Sequence, residues 1–265
     1  MMPPVKPEKD FPYWLLIVAG TGAYLFYRVI ANDLYTQVLL TLAKGIWTTV
    51  FVTIVAYSLA SLLGLGLALA ALSRFIVLRQ AARLYVEVVR GIPIIVLLLY
   101  VAFVLAPGLV ALWNWATGYL GWEPWRTRDF PLLWRAVIAL TIAYASFLAE
   151  IFRAGLQSVA IGQIEAAQTL GLNGWQRFRH VVFPQAFRTI LPPFGNDFVA
   201  MVKDSSLVSV LGVSDITQLG KVTAAGNFRY FETYNVVALI YLAMTISLSL
   251  FLRRLETRLR DKDKR

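Results

Sequence analysis

A bilayer hydrocarbon core is crossed by about 20 consecutive, mostly apolar residues in helical form, and this chain holds several such runs separated by short charged or Pro/Gly-rich breaks. In lipid every backbone N–H and C=O must be satisfied inside the protein, so runs of this kind fold as a bundle of helices and little else. Composition agrees: 58% of the 265 residues are hydrophobic and 15% are charged, where a soluble domain carries about 25% charged residues. The expectation is one all-α integral membrane domain.

Six runs are expected to be spans: 11–30, 45–72, 90–113, 133–152, 190–211 and 234–252. The first follows Lys6 and Lys9, but no small-x-small cleavage site succeeds it, so it reads as a helix and not as a signal peptide. Residues 31–37 read as a short polar loop. The second run carries Ala60, Gly64 and Ala68 at four-residue spacing, a small face that lets another helix approach closely. Trp113, Trp115, Tyr119, Trp122, Trp125 and Trp134 cluster between the third and fourth runs, as residues at headgroup level do.

The net charge of +10 is explained by topology and not by nucleic-acid binding. Seventeen Lys and Arg fall in segments 1–12, 74–90, 153–188 and 253–265, against six in segments 31–45, 113–135 and 213–232. The first set belongs in the cytoplasm. Arg253, Arg254, Arg258, Arg260, Lys262, Lys264 and Arg265 follow the last run, which places the C-terminus inside. A multi-pass protein of a bacterial inner membrane is expected.

Several chemistries are disfavoured. There is no cysteine and His180 is the single histidine, so disulfides, thiolate metal sites and histidine clusters are excluded; no metal site and no catalytic residue is expected, and His180 reads as an interfacial residue. The chain carries neither a G-x-S-x-G elbow nor a G-x-x-x-x-G-K-[ST] loop. An internally duplicated secondary transporter is not favoured, because no repeat is evident.

Asn196, Asp197, Lys203 and Asp204 fall on one face, about 120° wide, of the fifth run, with Ser205 beside them. Ionisable groups inside a span line a wet path or pair with one another. Both readings stay open: a lining for the translocation path, or a Lys203 pair with Asp197 or Asp204 that holds the bundle. Glu150 and Arg153, three residues apart, suit a helix-surface ion pair or an inner gate, and Arg90 suits anchoring or recognition.

The 153–188 segment is too polar and Gly-interrupted for hydrocarbon. A short helix is expected from Gly162, with Glu165 in its first turn and Gly171 as a left-handed stop. Glu165-Ala166-Ala167, three residues, Gly171, nine residues, then Val181-x-Phe183-Pro184 resembles the EAA loop of ABC importer permeases, with Phe183 where leucine is usual. Trp47-Thr48-Thr49, Arg90-Gly91-Ile92-Pro93, Ala149 to Ser158 and Lys203 to Val210 extend the resemblance to the permeases for histidine, glutamine, glutamate, arginine and opines. Those permeases often have five spans, so the first run is an addition.

The resemblance implies a type I ABC importer permease fold, a five-helix core plus an N-terminal helix, with about six transmembrane helices. It divides the chain into 1–44 (tail, first helix and outer loop), a permease domain 45–252 with coupling loop 159–184, and a basic tail 253–265. It implies a second permease subunit, identical or paralogous, an ABC ATPase dimer that binds ATP and Mg in place of this chain, and an extracytoplasmic amino-acid-binding protein. Glu165, Ala166, Ala167, Gly171 and Pro184 would then form the coupling element, and the solute would be a polar amino acid. A type I permease for a methionine-like solute or an anion is the alternative, with a secondary transporter behind it.

Overall fold

A computed structural model describes residues 13–261, so the basic residues expected at 1–12 and at 262–265 lie outside the described residues. Four helical rods are long and apolar enough to cross a membrane: Asp33–Ala71, Ile94–Gly118, Leu132–Gln157 and Tyr230–Thr257. In chain order the α-helices are α1 (Tyr13–Ala31), α2 (Asp33–Ala71), α3 (Ile76–Arg90), α4 (Ile94–Tyr100), α5 (Ala106–Gly118), α6 (Leu132–Gln157), α7 (Ile161–Thr169), α8 (Gly174–Arg177), α9 (Phe183–Asp204), α10 (Ile216–Asn227) and α11 (Tyr230–Asp261). No strand occurs among the described residues. The expected helices at 11–30 and 190–211 appear as α1 and as α9 with the 3₁₀ turn Ser205–Leu211.

The expected 31–37 loop and the span-flanking segments 74–90 and 213–232 are helical. The 31–37 connection shrinks to Asn32, whose side chain accepts from the N–H of Leu34 at 3.0 Å and so starts α2 at once. Its 39 residues make α2 about 58 Å long at ~1.5 Å per residue, and an expected boundary at residue 44 falls inside it. Segment 74–90 contains α3, which buries Ala82 and Val86 against its neighbours. Segment 213–232 contains α10, opened by the buried Asp215, whose carboxylate accepts from the N–H of Gln218 at 2.8 Å.

The main core lies where α2 crosses α6. Ala60, Gly64 and Ala68 are all buried there, and a Cβ on Gly64 would stand 3.0 Å from both the Ala145 carbonyl oxygen and the Leu148 Cβ. The small face reads as expected, since no large side chain would let the two backbones come this close. A second cluster joins the start of α2 to α10 and α11 through Tyr35, Val38, Leu42, Ile216, Val236 and Ile240. At Gly45 a Cβ would lie 2.5 Å from the backbone nitrogen of Ile216, so glycine alone admits α10.

Between α4 and α5 the rod widens into a π-turn, Val101–Leu105. Pro107 follows, and its ring would collide with the carbonyl four residues back in a regular helix; the wider turn relieves the clash. The buried Arg135 donates to the carbonyls of Ala102 (2.9 Å), Phe130 (3.0 Å) and Thr127, tying this turn to the segment between α5 and α6. Trp113, Trp115, Tyr119, Trp122 and Trp125 are exposed around that segment, consistent with a headgroup-level belt.

Candidate functional site

The polar face of α9 divides when packed. Asp204 ends α9 and accepts from the hydroxyl of Tyr144 on α6 at 2.8 Å. Ten residues earlier on α9, Tyr57 of α2 donates to the carbonyl of Phe194 at 2.5 Å, with its ring 4.9 Å from Phe198 and 6.4 Å from Tyr144. Asp197 is half-buried and within electrostatic reach of Tyr57, Tyr144 and Arg90. The guanidinium of Arg90 sits 5.6 Å from the centre of the Phe147 ring, a cation–π contact. Two carboxylates and two phenols from α2, α6 and α9 thus lie near one another, with the exposed guanidinium of Arg90 on α3 within electrostatic reach of Asp197.

Asn196 and Lys203 point elsewhere and are exposed. Among the described residues Lys203 pairs with neither aspartate, which corrects the internal-pair reading: Asp204 is held by Tyr144, not by the lysine. Ser205 is a second correction. It is buried and donates to the Val202 carbonyl at 2.7 Å, so it faces its own helix and not a path. Sequence reasoning missed Tyr57, Tyr144 and Phe147, although phenols in the middle of spans, away from the interface where tyrosines settle, were a usable signal.

Glu150 and Arg153 form the helix-surface pair, with Nε to Oε1 at 3.0 Å and the second guanidinium nitrogen to Oε2 at 2.5 Å, and Arg153 also donates to Gln157 at 2.7 Å. About a third of each charged side chain is exposed, so the pair contributes little stability, about 0–1 kcal/mol.

In the long segment between α6 and α9, α7 begins at Ile161, one residue earlier than expected, so Glu165 lies in its second turn. Glu165 and Ala166 are exposed and Ala167 is buried. The helix stops in a Schellman arrangement: Gly171 has φ +77°, its N–H reaches the Gln168 carbonyl at 2.9 Å, and the N–H of Leu172 reaches the Ala167 carbonyl at 3.1 Å. Asn173 and Gln176 then exchange side-chain and backbone bonds to open α8. A second π-turn, Phe178–Val182, precedes Pro184 as the first precedes Pro107. Trp175, Phe178, Phe183 and Phe187 form a ladder with centres 5.9, 6.0 and 5.7 Å apart, and Ile161 and Leu170 stand 72% and 80% exposed. A rigid short helix with apolar ends suits docking in another protein's cleft.

No group of His, Cys, Asp and Glu fit for a metal occurs among the described residues.

Residues 60–261 match the family model described as "binding-protein-dependent transport system inner membrane component". The probable amino-acid permease protein YxeN of Bacillus subtilis (strain 168) is 37% identical over 210 residues, covering 79% of this chain and 87% of that protein. The glutamine transport system permease protein GlnP of Escherichia coli (strain K12) is 36% identical over 181 residues, covering 68% and 75%. The crystal structure of an amino acid ABC transporter with histidines superimposes with a TM-score of 0.70 at 34% identity, covering 86% of this chain and 97% of that one.

Proposed function

Because the chain belongs to the binding-protein-dependent transport system inner membrane component family, as an amino-acid ABC permease, we propose that it forms half of a pore that moves polar amino acids across the bacterial inner membrane. A second permease subunit, identical or paralogous, completes the pore, an extracytoplasmic binding protein delivers the solute, and a separate ATPase dimer binds ATP and Mg. The observation that carries the reading is the grouping of Asp197, Asp204, Tyr57 and Tyr144 where α2, α6 and α9 pack, with the exposed Arg90 in electrostatic reach of Asp197.

An α-amino acid presents an ammonium and a carboxylate. Carboxylates attract the first, while Arg90 and the exposed Lys203 answer the second. This set disfavours an anion as solute, because two acids near the path repel it. At the inner end, Glu165, Ala166 and Ala167 on α7 lie in the ATPase cleft and the Gly171 stop keeps the helix short and stiff. Closure of the ATPase dimer then moves α6 and α9 as rigid bodies through α7. The C-terminal tail lies in the cytoplasm with this loop, on the positive-inside count.

The test is uptake in proteoliposomes holding the permease with its ATPase and binding protein, using glutamine, glutamate, arginine, histidine, methionine and phosphate. ATP-dependent uptake of polar amino acids that falls in Asp197→Asn, with assembly intact, is expected. Uptake of methionine or phosphate alone refutes the substrate class, and uptake without ATPase refutes the mechanism.

A further inference from the structure

α3 has three faces and not two. Ala82 and Val86 face the core, while Val77, Leu84 and Val88 form an exposed apolar flank suited to lipid. Arg83 and Glu87 stand a turn apart on the remaining flank. That flank opens on a cavity of about 370 Å³ between α2, α3 and α6, whose far wall carries Glu150, Arg153 and Gln157 and whose floor includes Ala68 and Ala71. Its volume lies within the ~300–1,000 Å³ range of small-molecule pockets.

The charges on the two walls differ in state. On α6, Glu150 and Arg153 already satisfy each other. On α3, the side chains of Arg83 and Glu87 have no hydrogen-bond or ion-pair partner among the described residues. Arg preceding Glu by four residues is the less favourable order for a helix pair, so neither side chain is consumed by the other. A free guanidinium and a free carboxylate, one turn apart, therefore face a neutral ion pair across a water-accessible space.

We propose that this cavity, at the end of the bundle that carries α7, is a second binding site, one that takes a free zwitterionic α-amino acid. Its carboxylate bonds Arg83 and its ammonium bonds Glu87, while the Glu150–Arg153 pair and Gln157 offer the remaining contacts. The site is separate from the Asp197 cluster. It rests on the amino-acid reading above, which places this end in the cytoplasm, where imported solute accumulates. An occupant bridges α3 to α6, and α6 leads through three residues, Ser158 to Ala160, into α7, so occupation resists their relative movement and slows import. An ethanolamine-phosphate lipid headgroup shares the chemistry of an ammonium beside an anion, and the lipid-facing flank of α3 lies about 100° round the helix from Arg83 and Glu87, so displacement by a headgroup analogue distinguishes the two occupants.

The test is equilibrium binding of radiolabelled L-glutamine and L-arginine to the permease–ATPase complex in nanodiscs of phosphatidylglycerol alone. Uptake is then measured in proteoliposomes preloaded or not with the same unlabelled amino acid. The wild type is expected to bind in two classes, with Arg83→Gln/Glu87→Gln losing about tenfold or more in one of them, as removal of charged partners does. Ala71→Leu, which keeps every charge and fills the floor, is expected to lose the same class. Both variants should escape slowing by preloaded amino acid, and Asp197→Asn should keep this class while losing the other. An unchanged two-class isotherm in both α3 and Ala71 variants, or a single class removed by Asp197→Asn, overturns the second site and leaves the transport reading standing. Displacement by glycerophosphoethanolamine with no effect of either amino acid assigns the cavity to lipid and overturns the proposal. No binding and no uptake of any amino acid by the wild type overturns the transport reading itself.

Discussion

The hydrogen bond from Tyr144 to Asp204 separates the two accounts of the charged residues in α9, and its strength can be measured directly. The bond is 2.8 Å long, with Tyr144 buried and Asp204 half-buried. A hydrogen bond to a charged group contributes about 1.5–3 kcal/mol net, whereas a neutral one contributes about 0.5–1.5 kcal/mol. Tyr144→Phe should therefore destabilise the folded chain by about 1.5–3 kcal/mol. Asp204→Asn, which keeps an acceptor oxygen, should lose about half as much, since charge-assisted bonds are roughly twice as strong. Asp204→Ala strands the phenol and should lose about 1–3 kcal/mol, and the double variant Tyr144→Phe/Asp204→Ala should show a coupling of about 1.5 kcal/mol or more. Lys203→Met supplies the contrast. With no partner it should stay within about 0.5 kcal/mol of the parent. The assay is equilibrium unfolding in mild detergent for each variant, paired with amino-acid uptake. A coupling below about 0.5 kcal/mol, the level of ordinary additivity, refutes the Tyr144–Asp204 account, and a large loss in Lys203→Met restores the lysine pair.

Three further outcomes are expected. Gly45→Ala places a Cβ 2.5 Å from the Ile216 nitrogen and 2.6 Å from the Asp215 carbonyl carbon, so it should cost about 1–3 kcal/mol by overpacking; Gly66→Ala, which meets nothing within 4 Å, should be neutral or stabilising in the same unfolding experiment. Gly171→Val forces a β-branched residue to φ +77°, a strain of about 1–2 kcal/mol or more, and co-purification with the ATPase should fall while membrane insertion is kept. Arg135→Lys replaces three directed bonds by an ammonium unable to span them, each charged bond lost costing about 1.5–3 kcal/mol; protease sensitivity of the 119–131 loop should rise before any change in total fold.

Much of this molecule was legible along the chain. The long rods follow from apolar runs that lipid forces into helices, the close crossing of α2 and α6 follows from small residues at four-residue spacing, and the end of α7 follows from a glycine where a left-handed residue is needed. Each of these rests on residues within a turn or two, or on a solvent that treats every residue alike. Packing decided the rest. Segments 74–90 and 213–232 read along the chain only as charged flanks of the spans, because charges and polar residues interrupt their apolar ones, and they form helices where Ala82, Val86, Ile216 and Ala224 find a neighbour to bury against. The same holds for the site. Periodicity put Asp197, Asp204, Asn196 and Lys203 on one face, but that Asp204 is the one bonded to a tyrosine depends on Tyr144, 60 residues away. A helix sets the direction of a side chain by its own turn; the partner at the far end of that direction belongs to another helix, and its identity is settled by how the bundle closes.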